Sequence, residues 1–251
     1  MSLTRTVLRF AAPVPQVESF ERCLFIGPHP DDIEIGAGAT AAKLASLGKQ
    51  VCFLICTDGR FGDGNTALRG DELVNARMAE AKASAALLGV SDVRFLGLSD
   101  GGCYEQEALV RGIAQAIGDF QPDIVFAPDP CVTAEAHTDH LNVGEAVRRL
   151  ACFAAYDGIM AQHGAKAAPV KAVAFYMTAR PNRYVKTTGF VSKQLDAVFQ
   201  CHKTQFPSPD RQIALYLRLR SIDFGLRSLK GQAEGFRVLG ALHMHCMPEI
   251  S

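Results

Sequence analysis

Short apolar runs alternate with stretches of helical periodicity through the first two thirds of the chain. Residues 22–27 (RCLFIG), 51–57 (VCFLICT), 92–97 (DVRFLG), 123–127 (DIVFA) and 171–177 (KAVAFYM) are short and rich in β-branched or aromatic side chains, which predicts buried strands. Between them, residues 36–47 read as a helix closed by Gly48. Asp71 is placed as the N-cap of a second helix, with Val74, Met78, Ala81, Ala85 and Leu88 on its apolar face before Gly89. Residues 105–117 carry Leu109, Ile113 and Ala116, and residues 138–156 put Val143, Val147, Leu150 and Ala154 on one face. Strand–helix alternation of this kind predicts an α/β fold with a mainly parallel sheet and right-handed crossovers. Beyond residue 178 the pattern blurs, and only residues 211–230 read as helical.

The whole chain, 1–251, reads as one domain. Its core, about 22–177, is a Rossmann-like, mainly parallel sheet flanked by helices, and 178–251 is a C-terminal extension on that core. Lys and Arg number 26, as do Asp and Glu, so the formal net charge is zero. That balance argues against a partner that is nucleic acid or an anionic membrane. With 48% hydrophobic and 21% charged residues, disorder is excluded as the main state. A chain of this length buries roughly 70–75% of its unfolded surface, so a metal, if present, is there for chemistry rather than for folding. The eight cysteines form no Cys-x-x-Cys pair and several sit in apolar runs, as expected of buried free thiols in a reducing compartment. The N-terminal residues lack the sustained apolar core of a signal peptide, and no run approaches the ~18 residues of a membrane span. A cytoplasmic protein is expected, and self-association into a homo-oligomer is left open.

In open α/β sheets, ligands bind beyond the carboxyl ends of the strands. The segments 27–35, 58–70, 98–103 and 128–142 therefore matter most. The first places His29, Asp31 and Asp32 directly after a strand, with Pro30 stiffening the turn. A His and an Asp three residues apart can converge on one divalent ion, leaving the neighbouring carboxylate as a base. Read alone, His-Pro-Asp-Asp is equally a turn or helix-start sequence. The last segment adds His137, Asp139 and His140 at the start of a helix, 108 residues beyond Asp32. A parallel sheet would bring both segments to one rim.

These residues resemble a known family. GPHPDDIEIGAGAT followed by AHTDH is similar to the PIG-L/LmbE-like zinc-dependent de-N-acetylases, whose pattern is His-Pro-Asp-Asp with a trailing Gly-x-Gly and a later His-x-Asp-His. Weaker matches run through FLGLSDGG (95–102), Arg77 and Glu80, CHKTQF (201–206) and AEGF (233–236). Ala39 departs from the pattern where many members carry a further glycine. The resemblance implies His29, Asp32 and His140 as ligands of Zn2+, or of another divalent metal. It implies Asp31 as general base, His137 as general acid or electrophile, and Asp139 as the group orienting His137. It further implies a small-molecule substrate, an N-acetylated amino sugar or glycoside. Zinc would acidify a water and polarise the acetyl carbonyl, with Asp31 and His137 handling the protons.

Arg77 and Asp100 match positions that contact the sugar in similar enzymes. Arg60, in the glycine-rich loop after the second strand, is a further candidate for substrate contact. Each also has an ordinary reading: Arg77 as a helix partner of Glu80, Asp100 as a turn residue before Gly101. The 58–70 loop is either a mobile lid or a long connection. Gly36 and Gly38 hint at a dinucleotide fingerprint but lack its third glycine, and are read as allowing close helix–sheet approach. His243, His245 and Cys246 are left outside the site. Three other functions stay in view: an amidase acting on a sugar or thiol conjugate at the same metal site, a nucleotide-binding oxidoreductase, and a non-catalytic metal-binding protein.

Overall fold

Arg22–Gly27, the first apolar run, forms β1, buried from Cys23 onward. Its side chains alternate between two helical layers. Phe25 stacks on Phe126 with ring centroids 4.0 Å apart and joins Phe53, Tyr176 and Phe236 on one side. Leu24 and Ile26 face Leu54, Val125, Leu109 and Val143 on the other. A strand covered on both faces must be apolar at every position, and that is why these runs were readable.

The computed structural model describes residues 3–246. Helix α1 (Leu3–Ala11) leads into β1, followed by α2 (Asp32–Ser46), β2 (Gln50–Thr57), α3 (Gly70–Leu88), β3 (Asp92–Leu98) and α4 (Gln106–Phe120). Then come β4 (Ile124–Pro128), α5 (Thr138–Phe153), α6 (Asp157–Gln162), β5 (Ala172–Tyr176) and β6 (Arg183–Lys186). Helices α7 (Val191–Asp196) and α8 (Arg211–Ser228), strand β7 (Ala233–Gly240) and α9 (Ala241–His245) complete the chain. The sheet order is β3-β2-β1-β4-β5-β7-β6. The pairs β1–β2, β2–β3, β1–β4 and β4–β5 are parallel, whereas β7 runs antiparallel to both β5 and β6. The order reverses between β1 and β4, so the loops leaving those strands diverge and open a crevice. No helix among the described residues is long and apolar enough to cross a membrane.

The structure corrects several boundaries. Helix α2 begins at Asp32, not near residue 36, so Gly36 and Gly38 lie inside it rather than in a phosphate-binding turn. A Cβ at Gly36 would stand 2.3 Å from the Tyr176 ring, which is the close approach expected of that glycine. Gly48, at φ 76°, closes the helix through bonds from Gly48 N to Ala45 O and Lys49 N to Leu44 O. Asp71 is not an N-cap. Helix α3 is preceded by Arg69 and has no side-chain cap, and Asp71 lies in its first turn. Its buried face runs through Leu73, Arg77, Ala81, Ser84, Ala85 and Leu88, one position away from the expected Val74 and Met78, because Arg77 is turned inward. The C-terminal segment supplies β6 and β7, with β7 fully inside the sheet. All eight cysteines are free: Cys23, Cys52 and Cys56 are buried, and Cys103, Cys131 and Cys246 are exposed.

Candidate active site

The loops after β1 and β4 meet at the point where the strand order reverses. After β1 the chain turns through His29, Pro30 and Asp31 before α2 begins at Asp32. The Asp32 carboxylate pins that turn by accepting the His29 amide at 2.9 Å. Asp31 sits at φ 128°, a region that favours glycine, so its side chain is held there at a cost in backbone strain. Arg77 reaches over from α3 and stabilises this shape. Its guanidinium donates to Pro30 O at 2.8 Å, to Gly59 O at 3.0 Å and to Asp31 Oδ2 at 3.3 Å.

The second loop ends in α5, with His137 as N-cap; its Nδ1 accepts the Asp139 amide at 3.3 Å. One turn of helix then presents His140 to the first loop. The donor atoms of His29, Asp32 and His140 all lie within 4.8 Å of one another. His29 Nδ1 is 3.0 Å and His140 Nε2 is 3.3 Å from the same Asp32 oxygen, Oδ2. Each histidine is held from behind at its other nitrogen. His29 Nε2 meets Asp139 at 3.0 Å and Asp100 at 3.1 Å, and His140 Nδ1 meets Glu135 at 3.0 Å. Asp139 is itself fixed by the amides of Gly101 and Gly102, both at 2.8 Å.

Five carboxylates in this small volume make it strongly electronegative. Burial disfavours charge on His29, yet hydrogen bonds to Asp100, Asp139 and Asp32 push its pKa up to about 12. Burial likewise opposes the Asp32 carboxylate, but His140 and His29 hold its pKa well below the usual range. Burial pushes the Asp31 carboxyl up to about 6, with the Arg77 guanidinium pulling the other way. The site opens into a cavity of about 340 Å³ lined by His29, Asp31, Arg77, Asp100 and His137 together with Phe61, Gly62, Gly101 and Gln205.

This arrangement of His-Pro-Asp-Asp and His-Thr-Asp-His motifs lies within residues 24–151, which match the family described as PIG-L: GlcNAc-PI de-N-acetylase. The chain belongs to the PIG-L family. A diacetylchitobiose deacetylase from Thermococcus kodakarensis is 32% identical over 232 residues, which cover 91% of this chain and 86% of that protein. A 1D-myo-inositol 2-acetamido-2-deoxy-alpha-D-glucopyranoside deacetylase from Kineococcus radiotolerans is 33% identical over 205 residues, 70% of this chain and 56% of the relative. The solved structure of the N,N'-diacetylchitobiose deacetylase from Pyrococcus horikoshii superimposes with a TM-score of 0.87 at 27% identity. It covers 99% of this chain and 97% of its own.

Within this PIG-L chain, eight of the nine residues singled out from the sequence gather at the crevice. Arg60 does not join them: it is half-exposed, and its guanidinium is paired with Asp58 at 2.8 Å through Nε. The expected link between Asp139 and His137 is loose, 3.8 Å from Oδ2 to Nδ1, because the carboxylate is engaged by His29 and two glycine amides. Glu135 went unread in the sequence, although its oxygens hold both His140 and, at 2.8 Å, the amide of His137. An acid five residues before a candidate ligand was the available signal. The 58–70 loop is tied down rather than loose: Gln205 Nε2 donates to Gly62 O at 2.6 Å, and Asn65 donates to Gln205 O at 2.7 Å. His243 lies outside the site, with Nδ1 accepting the Gly240 amide and Nε2 3.1 Å from Ala12 O.

Proposed function

We propose that this protein is a metal-dependent hydrolase that removes the acetyl group from an N-acetylglucosamine-type sugar, with a divalent cation, zinc by the character of the donors, held by His29, Asp32 and His140. The observation that carries this reading is the convergence of two histidines and a carboxylate beside a strained, half-buried Asp31. The donor set fits such an ion. Ligands at ~2.1 Å from a tetrahedral cation stand roughly 3.4 Å apart, close to the 3.0 and 3.3 Å edges seen here. Both histidines also carry the outer carboxylate that ligating imidazoles usually have, Asp139 and Asp100 for one and Glu135 for the other. When bound, the cation supplies Lewis acidity, polarising the amide carbonyl and acidifying a water molecule.

The chain's own residues account for the proton movements. Asp31, with its pKa near 6, is ionised at neutral pH and basic enough to accept a proton from the attacking water. Its strained φ and the Arg77 hydrogen bond fix where the carboxylate stands. His137 acts as general acid in its imidazolium form, giving the Nε2 proton to the departing nitrogen and returning to the neutral ring whose Nδ1 accepts the Asp139 amide. Its ring lies edge-on to His29 at 4.6 Å and lines the cavity. As the carbonyl–nitrogen bond breaks, that proton completes the free amine, and the hydroxyl derived from water remains on the acetyl carbon, giving acetate. Arg77 and Asp100 also line the cavity, which supports reading them as contacts for sugar hydroxyls.

A screen for acetate release tests this reading, using N-acetylglucosamine, N,N'-diacetylchitobiose and glycosides of N-acetylglucosamine with added zinc. Stoichiometric acetate and free amine support it. Release of a different acid from an acylated conjugate would place the chain with amidases instead.

A further inference from the structure

The cavity beside the proposed metal ligands changes character along its depth. His29, Arg77 and Asp100 are buried and close its inner end, whereas Phe61, Gly101 and His137 are exposed and form its mouth. Among the described residues that line it, Phe61 is the one large apolar side chain, and its ring is 60% exposed. Single exposed apolar residues are ordinary on a protein surface. What sets Phe61 apart is how firmly it is carried. Arg77 donates to Gly59 O at 3.0 Å, Gln205 Nε2 donates to Gly62 O at 2.6 Å, and the Phe61 amide donates to Asp100 Oδ2 at 3.4 Å. Gly62 has no room for a side chain here, since a Cβ would stand 2.4 Å from Arg77 Nη1. The ring itself lies beside the Asp100–Gly101 turn, 3.7 Å from where a Gly101 Cβ would stand. Backbone anchors on both sides thus fix an exposed aromatic ring at the mouth, and a ligand that covers it has little left to order.

We infer that Phe61 is a stacking platform for a second pyranose ring, so that the site prefers disaccharides of N-acetylglucosamine over the free sugar. The inference rests on the deacetylase reading for the ring that carries the acetyl group. A cavity of about 340 Å³ is at the small end for ligand sites, with room for one N-acetylated ring and not for two. A second ring, joined to the first through a single glycosidic oxygen, then falls at the mouth. A pyranose has a flat face of C–H groups and an edge of hydroxyls. Its carbon-bound hydrogens meet the negative face of an aromatic ring favourably. The surroundings of Phe61 match that division. Gln205, whose Nε2 is engaged by Gly62, offers its Oε1 to a hydroxyl at the sugar's edge. A wholly apolar group would find this one ring and otherwise polar neighbours.

Wild type, Phe61→Ala and Phe61→Tyr, each loaded with zinc, are compared on N-acetylglucosamine and N,N'-diacetylchitobiose. The wild type should favour the disaccharide in kcat/KM. Phe61→Ala should raise KM for the disaccharide ~10-fold, the size of one lost aromatic contact. Its kcat, and both constants for the monosaccharide, should stay within about two-fold of the wild type, because the contact is one of binding and not of chemistry. Phe61→Tyr should keep the preference. A loss shared equally by the two sugars, or a preference untouched in Phe61→Ala, overturns the inference. The sequence contains no tryptophan, so Phe61→Trp places the only indole at the platform. In metal-stripped protein its emission should shift with the disaccharide and hold steady with the monosaccharide. No shift with the disaccharide, or the same shift with both, overturns the inference as well. This readout does not depend on turnover. A wild type that releases no acetate from either sugar, while the indole still responds to the disaccharide, removes the deacetylase reading and leaves the sugar platform on a site of other chemistry.

Discussion

The carboxylate of Asp139 stands 3.0 Å from Nε2 of His29 and 3.8 Å from Nδ1 of His137. It is fully buried, and both of its oxygens accept glycine amides. Asp139 therefore belongs first to His29, the proposed metal ligand, and only second to His137, the proposed proton donor. Asp139→Asn should lower metal affinity by ~10–100-fold, the usual loss when a ligand histidine's outer partner is changed. His137→Ala should keep its metal and lose ~10²-fold or more in kcat. Chelator competition measured beside turnover separates the two, and a His137→Ala protein that releases its metal would make His137 a ligand.

Asp31 carries two separable properties, its carboxylate and its backbone. Asp31→Asn should retain the metal and lose ~10²–10⁴-fold in kcat, the range for a positioned general base. Asp31→Gly and Asp31→Ala remove the same charge but differ in tolerance of φ 128°. The glycine variant should therefore be the more stable by roughly 1–3 kcal/mol. Urea denaturation of the pair checks this, and equal stability would mean that the loop relaxes when the carboxylate is gone.

Glu135 joins the two halves of the second motif, accepting the His137 amide on Oε1 and facing His140 Nδ1 with Oε2. Glu135→Gln should weaken metal binding by ~10-fold and reduce kcat more than it raises KM, because it loosens groups that act on the reacting amide. Titration of the apoprotein with zinc, followed by kinetics at saturating metal, reads both effects.

Asp123 tests the other end of the sheet, away from the chemistry. It accepts the Glu21 and Arg22 amides at 3.2 and 3.1 Å and the Lys171 ammonium at 2.9 Å. Burial works against the carboxylate, but Lys171 and the two amides bring its pKa below the usual value. A folded pKa that is depressed contributes stability above the unfolded pKa, and that contribution is lost as pH falls through the folded value. Asp123→Asn should thus cost about 1–2 kcal/mol at neutral pH. The gap to the wild type should hold down to about pH 5 and narrow below ~4. A gap independent of pH would show that the amides, not the charge, set the cost.

What the sequence disclosed follows from how each part is buried. Strands β1, β2 and β4 are covered on both faces, so they read as unbroken apolar runs. Strand β6 has four residues, two of them charged, and β7 interrupts its apolar residues with Glu234 and Arg237. Neither presents such a run, and the antiparallel edge of the sheet was hidden for that reason. The motif residues were legible because the chemistry needs those residue types directly after strands. Their partners were not. Asp139 reaches His29 across 110 residues of sequence, and only the folded crevice shows that this bond prevails over the neighbour two positions away. Periodicity alone puts Val74 and Met78 on the buried face of α3, because it ranks an arginine as solvent-facing, whereas two carbonyls and Asp31 draw Arg77 inside.

Acetate release should depend on one divalent cation held by His29, Asp32 and His140, and a titration reads that dependence. Chelator-stripped protein receives zinc in known increments, and acetate released from N,N'-diacetylchitobiose is measured at each, with Asp32→Ala treated in parallel. The expected result is activity rising in proportion to metal and levelling at one ion per chain, with Asp32→Ala binding little and releasing none. Full turnover in the stripped protein, or an Asp32→Ala variant that binds one zinc and turns over normally, would contradict it.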